Sequence, residues 1–302
     1  MEIPTALLAD AELMVQSLLD DLAQIPELSV NTCRDDRLPP LKLASRQVSA
    51  ADDVKKIWKQ LMRESDLAWI IAPETNNELL ELSRLAQTCD TRLVSSSDEA
   101  IKLTSSKIAT YRTLRQSAYL QPETRLLLDE PVPSDSGWVV KPDMGAGGEH
   151  CYFCTDLHDF KQRFTLPEQA QYFVQQPFLQ GTHLSLSVAY TEETTVLLSC
   201  NGQEIVIEGN KLINRVINHQ AVGTQLASLQ ELAENIRETI PGLRAYVGID
   251  LVVAGDDVYI LDINPRLTSS YAGLSASLGY NVAAFIIEEF GRGQSLLREI
   301  AN

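Results

Sequence analysis

Residues 246–266 constrain the fold of this 302-residue chain more than any other stretch. They run Tyr-Val-Gly-Ile-Asp-Leu-Val-Val-Ala-Gly-Asp-Asp-Val-Tyr-Ile-Leu-Asp-Ile-Asn-Pro-Arg. Two alternating apolar runs flank Gly255-Asp256-Asp257, the pattern of a β-hairpin. A three-residue connection makes Ala254 face Val258 and sets Asp250 opposite Asp262. Asn264 then shares their face, because side chains alternate along a strand. Gly248, across from Asn264, leaves room above that face. Leu251, Val253, Leu261 and Ile263 are expected on the core side. Opposed carboxylates repel unless protonated or bridged by a cation. Their oxygen donors suit Mg²⁺, with Mn²⁺ as a substitute, and such an ion completes its shell with water and nucleotide phosphates. ATP is the ligand this face predicts.

Composition narrows the rest. The chain is 44% hydrophobic and 22% charged, and its length suffices for two or three small domains or one large one, with ample core. A formal net charge of −16 argues against nucleic acid as a partner, since phosphate neutralisation needs basic surface. Five scattered cysteines suit a reducing cytoplasm. Cys151-Tyr-Phe-Cys154 is read as a strand, because no second ligand pair accompanies it. No apolar run is long enough to span a bilayer, and no basic-then-apolar signal opens the chain.

Helical spacing predicts helices over 10–25, with Asp10 as N-cap, and over 52–64, 77–88 and 98–118. Apolar runs at 67–72 and 91–95 predict strands of a small parallel sheet. An α/β domain of this kind usually opens with a strand. Here a helix begins almost at once, so either Met1-Glu-Ile-Pro is a vestige or the first strand is missing. From about 120 the texture turns to short strands at 123–128, 137–142, 150–154, 171–176, 183–190 and 194–200, with a helix at 156–165. Helices at 225–239 and 281–291 complete the reading. The expected division is 1–97, 98–180 and 181–302.

A second segment bears on the ligand. Gly137-Trp-Val-Val-Lys141-Pro-Asp-Met-Gly145-Ala-Gly147-Gly148 delivers a lysine from a strand into a glycine-dense loop. Glycines let backbone N–H groups approach phosphate oxygens, and lysine adds a point charge. The loop is not a Walker A motif, because the lysine precedes the glycines. Downstream, Val174-Gln175-Gln176-Pro177-Phe178 ends a strand with a segment able to line an adenine slot.

Taken in order, Lys107, Lys141-Pro with its glycine loop, Gln-Gln-Pro-Phe, and Asp250…Asp262-x-Asn264-Pro-Arg266 resemble the ATP-grasp superfamily along essentially the whole chain. The resemblance implies a pre-ATP-grasp α/β domain, possessing or lacking its first strand, followed by two α+β lobes gripping ATP. It implies that Lys107 and Lys141 contact phosphates and that Gly145, Gly147 and Gly148 form a lid. Gln175, Gln176 and Phe178 would border the adenine, and Asp250, Asp262 and Asn264 would hold Mg²⁺. Arg266 would face the phosphates or an acyl phosphate, making it and Lys141 the catalytic candidates. Two positions depart from the family's usual pattern: Asp262 stands where Glu is common, and His183 where a ribose-binding Glu is frequent. Neutral imidazole is the poorer acceptor, so weakened ATP affinity is expected.

Such enzymes make an acyl phosphate from a carboxylate and ATP, which an amine then attacks, so no protein nucleophile is required. His150, His158, His183 and His219 are accordingly not assigned to a triad. Arg266, Thr268, Ser269 and Ser270 are read as a carboxylate-substrate site. Within the superfamily, Arg34-Asp-Asp-Arg37-Leu, Leu198-Ser-Cys-Asn201-Gly-Gln203-Glu-Ile205 and Asn264-Pro-Arg-Leu-Thr-Ser-Ser resemble the tyramine–glutamate ligase group of methanofuran and methylofuran assembly. That implies small-molecule substrates, a glutamate carboxylate joined to an amine with release of ADP and phosphate, and a homodimer as the family-level expectation. Two competing readings are an amino-acid or peptide ligase of another pathway, and an ATP-binding regulator without turnover.

Overall fold

The computed structural model describes residues 5–117, 119–163, 168–218 and 226–291. Met1–Pro4, on which the missing-strand expectation turned, and His219 lie outside the described residues. The N-terminal portion comprises α1 (Thr5–Leu22), β1 (Cys33–Asp35), β2 (Arg46–Val48), α2 (Val54–Arg63), β3 (Leu67–Ala68), α3 (Glu78–Gln87), β4 (Arg92–Leu93) and α4 (Asp98–Ser105). Its strands form two short parallel pairs, β1 with β2 and β3 with β4. The β1–β2 pair escapes a periodicity reading because three residues are too few to show alternation. Helix α1 starts well before residue 10, so Asp10 lies inside it and does not cap it. Ala6-Leu7-Leu8-Ala9 are strong helix formers and carry the helix back toward the N-terminus.

The single helix expected at 98–118 is two. Ser106 is extended (φ −101°, ψ 118°), and its Oγ accepts a hydrogen bond from the Ala109 N–H at 3.1 Å. It therefore caps α5 (Lys107–Leu114) and places Lys107 at that helix's first position.

The remaining elements are β5 (Arg125–Leu126), β6 (Trp138–Pro142), β7 (Tyr152–Cys154), α6 (Leu157–Arg163), β8 (Phe173–Pro177), β9 (Thr182–Tyr190), β10 (Thr195–Glu208), β11 (Lys211–Asn218), α7 (Leu226–Thr239), β12 (Ala245–Ala254), β13 (Asp257–Asn264), α8 (Leu274–Leu278) and α9 (Val282–Gly291). Among the described residues, strands β5 to β13 form one sheet in the order β13-β12-β9-β10-β11-β7-β6-β8-β5. Strand β11 was missed in the sequence, where Asn214 and Arg215 interrupt its apolar run. It matters, because its Lys211–Tyr152 pairing joins the two halves of the sheet.

The two faces of the β9–β12 region differ sharply. Leu184, Leu186 and Val188 on β9, with Val247, Ile249 and Leu251 on β12, pack against Leu229, Ala233 and Ile236 of α7. The alternate residues of β9, His183, Ser185 and Ser187, turn to the opposite face, as the period of two requires. One face is thus an apolar seat and the other a polar floor. Helix α1 is fastened nearby: Tyr271 Oη and Ser275 Oγ both donate to Asp21 Oδ2 at 2.6 Å. No helix among the described residues is long and apolar enough to cross a membrane.

Candidate functional site

Asp250 does pair with Asp262, and Gly248 with Asn264, but by another route than expected. The connection contains two residues, since Ala254 faces Asp257. The register then shifts between Asp250 and Leu251, leaving Leu261 as an extra residue, a β-bulge. The bulge cancels the shorter loop. It also redistributes side chains: Ile260 and Ile263 enter the core, whereas Leu261 joins Asp262 on the cleft side. The expected core placement of Leu261 is therefore corrected.

These residues floor a cleft of about 920 Å³. Lys107, Lys141, Gly145, Gly147, Gly148, Gln176, Phe178 and His183 line it, together with Asp250, Asp262, Asn264, Arg266 and Thr268 to Ser270. Gln175 is the exception. Its side chain is fully buried behind the strand, accepting from the Val132 N–H and donating to the Leu126 and Asp129 carbonyls. Strand alternation explains the split, because adjacent residues of β8 point to opposite faces. A second hollow, about 1010 Å³, lies against Thr75, Asn76 and Lys211, and neither the carboxylate pair nor the two lysines line it.

Lys107 Nζ lies 3.3 Å from Asp262 Oδ2. Burial works against its charge, but Asp262 and Glu74 outweigh burial and hold its pKa above the ordinary lysine value. Lys141 is shifted the other way: burial depresses its pKa and the Lys107 ammonium adds to the effect, against the pull of Asp262. A triphosphate between the two lysines would favour both charges. Asp250 accepts hydrogen bonds from Gln203 at 3.1 Å and Asn264 at 3.2 Å. Burial, followed by repulsion from Asp262, nonetheless raises its pKa. Among the described residues no cluster of three His, Cys, Asp or Glu could hold a metal. Two carboxylates and an amide oxygen instead leave coordination positions for water and phosphate, the manner in which Mg²⁺ binds. The donor set fits that ion.

The lysine strand and the glycine-dense loop after it are tied to α5. Asp143 accepts from Ser106 Oγ at 2.8 Å and from the Ile108 N–H at 2.9 Å. Beyond it, Gly147 and Gly148 take φ values of +65° and +69°, which glycine adopts without strain. Phe178 sits edge-on to Phe153 with centroids 5.1 Å apart, which fixes the cleft's apolar end. Burial lowers the pKa of His183 and so favours the neutral ring.

Arg266 is engaged by a residue that the sequence reading passed over. Its Nε and Nη2 donate to Glu74 Oε2 at 3.0 and 2.8 Å, and Nη1 donates to the Leu267 carbonyl. Glu74 arrives from the N-terminal portion on a loop whose Asn76 and Asn77 are both left-handed, at φ 55° and 61°. Asparagine tolerates that conformation better than most residues, so the Asn-Asn pair was the readable signal of a sharp turn. Gln203 and Ser185 also line the cleft without having been singled out for it.

Thr268 does not cap the turn after it. Its Oγ1 lies 3.0 Å from Tyr246 Oη, which is itself 2.8 Å from Ser187 Oγ. The Thr268 methyl fills the space above Gly248, where an added Cβ would meet Cγ2 at 2.6 Å. Gly248→Ala should therefore displace the 266–270 segment, costing about 1–3 kcal/mol in denaturant unfolding. Unfolding at the wild-type midpoint would refute this contact.

A family model for the ATP-grasp domain matches residues 104–270, over half the chain, and one for the pre ATP-grasp 3 domain matches 28–101. Tyramine–L-glutamate ligase of Methanocaldococcus jannaschii is 24% identical over 280 residues, covering 90% of this chain and 80% of that protein. The crystal structure of an ATP-grasp superfamily protein from Archaeoglobus fulgidus superposes with a TM-score of 0.69 at 24% identity, covering 95% of this chain and 84% of that one. D-alanine–D-alanine ligase from Bacillus anthracis, solved with ATP, gives 0.63 at 14% identity, with 94% of each chain covered. At these identities the two superpositions speak to the fold alone. By the extent of the domain match, the chain belongs to the ATP-grasp family.

Proposed function

We propose that this chain is an ATP-dependent ligase that joins a carboxylate to an amine, releasing ADP and phosphate. The observation that carries the reading is the convergence of Lys107 and Lys141 with the Asp250–Asp262–Asn264 face in one cleft beneath the glycine loop. Phosphoryl transfer asks a protein mainly to position groups and neutralise charge, and these residues are suited to both. Lys107 and Lys141 would hold phosphate oxygens, while Gly145, Gly147 and Gly148 cover them. Gln176 and Phe178 would border the adenine and His183 the ribose. Asp250, Asp262 and Asn264 would hold Mg²⁺ or Mn²⁺, which supplies charge neutralisation for the transferring phosphoryl group. Arg266, aligned by Glu74, and the Thr268 to Ser270 hydroxyls would orient the substrate carboxylate.

Kinship with the M. jannaschii enzyme makes L-glutamate and tyramine the first substrates to try. The five cysteines, free in the structure, suit the cytoplasm as the place of action. The test is phosphate release from Mg–ATP in a screen crossing amino acids with aromatic and aliphatic amines. Release that requires one carboxylate and one amine, with an amide as product, is the expected result. ATP binding without release across the panel would favour a regulatory protein and overturn the ligase reading.

A further inference from the structure

Helix α1 adds a wall to the cleft that the nucleotide and metal residues do not explain. Asp10, Leu13 and Met14 line it from α1, and Ile71 lines it from the segment after β3, in the same cleft as Arg266 and Thr268 to Ser270. Leu13 is 46% exposed, a large apolar side chain turned into a recess instead of a core. Asp10 makes no ion pair within 4.0 Å among the described residues. The nearby guanidinium of Arg266 gives its hydrogen bonds to Glu74 and Leu267 and none to Asp10. A carboxylate with no direct ion-pair partner beside an apolar surface is complementary to a cation that carries an apolar body. Partial burial raises the pKa of Asp10 and Arg266 opposes the rise, in keeping with a site at the edge of solvent and in the field of that guanidinium.

We infer that α1 carries the docking point for the amine substrate, with Asp10 receiving its ammonium group and Leu13, Met14 and Ile71 covering its apolar body. The inference rests on the ligase reading and deepens it by naming the acceptor class: a primary aliphatic ammonium on an aryl or alkyl chain without its own carboxylate. Charge arranges the two substrates. The carboxylate faces Arg266 and the ammonium faces Asp10. Once the ammonium has released a proton to solvent, the neutral amine displaces phosphate from the acyl phosphate between the substrate segment and α1. The new amide releases a second proton. An amine bearing a carboxylate would set that group against Asp10 and bind less well.

The test separates the two readings. Hydroxylamine, small and uncharged at neutral pH, can trap an activated carboxylate as a hydroxamate without using an ammonium site. Wild-type protein with Mg–ATP and L-glutamate should form hydroxamate, and amide when 2-phenylethylamine replaces hydroxylamine. Asp10→Asn should raise the KM for 2-phenylethylamine at least tenfold, leaving the ATP KM and the hydroxamate rate within twofold. Asp10→Glu should recover part of that loss. Leu13→Ala should raise the KM for 2-phenylethylamine more than that for methylamine. An unchanged amine KM in Asp10→Asn, or an equal loss of hydroxamate and amide, would overturn the assignment while leaving the ligase reading intact. Absence of hydroxamate from the wild type across a panel of carboxylates would overturn both.

Discussion

Asp250→Asn is expected to lower kcat by roughly 10³-fold, about 4 kcal/mol of transition-state stabilisation, while making the ligand-free protein more stable. The two effects share one cause. Burial, and then the charge of Asp262, raises the pKa of Asp250, so its ionised form is held in the fold at a cost. For a carboxyl whose folded pKa exceeds its unfolded value, the native state binds more protons across that window. Stability therefore falls as pH rises from the ordinary carboxylate range through the raised value. An amide at 250 removes this penalty and can still accept one of the bonds now made by Gln203 and Asn264. A gain of about 1 kcal/mol at neutral pH is expected. Thermal melts of both proteins from acid to neutral pH check it, with the wild type falling relative to the variant as pH rises. Parallel melting curves, or a variant that keeps wild-type turnover, would refute the account.

Glu74→Ala is the second large effect. The Glu74 and Arg266 side chains are 4% and 9% exposed, so the pair is removed from water together. Breaking such a pair by deleting one partner leaves an uncompensated buried charge, typically worth about 3–5 kcal/mol of stability. Glu74 Oε1 has no hydrogen-bond partner even now, so the carboxylate is retained through its Oε2 contacts with the guanidinium. Removing both charges distinguishes stability from activity. Glu74→Leu combined with Arg266→Met should restore most of the denaturation midpoint lost in Glu74→Ala, because an apolar pair of similar volume carries no desolvation cost. Turnover should remain lost, since Arg266 is gone. A Glu74→Ala protein that unfolds at the wild-type midpoint would show that the pair has little energetic weight.

Much of the site was legible in the sequence because its signals are local. The alternation of 246–254 and 257–264 brought Asp250 opposite Asp262 although the assumed loop was one residue too long, since the bulge at Leu261 restored the register. Strand alternation also separates the two glutamines: neighbouring side chains cannot both face the cleft, and nothing in Gln-Gln-Pro-Phe says which one does. Helix ends were less readable. Ser106 breaks the helix through a cap that competes with continuing helical periodicity, and that break sets Lys107 at the cleft.

The sequence by itself determined the alternating strands, the glycine-dense loop, the two lysines and the opposed carboxylates, hence the family. These depend on residue types at short spacings, which strand and turn geometry converts directly into position. Only the tertiary structure decided what Arg266 touches and which distant segments line the cleft. Glu74 is 192 residues away from Arg266, and Asp10 reaches the same cleft from the first helix. Contacts across such separations follow from how the helices dock on the sheet, which depends on whole buried faces and leaves no local pattern.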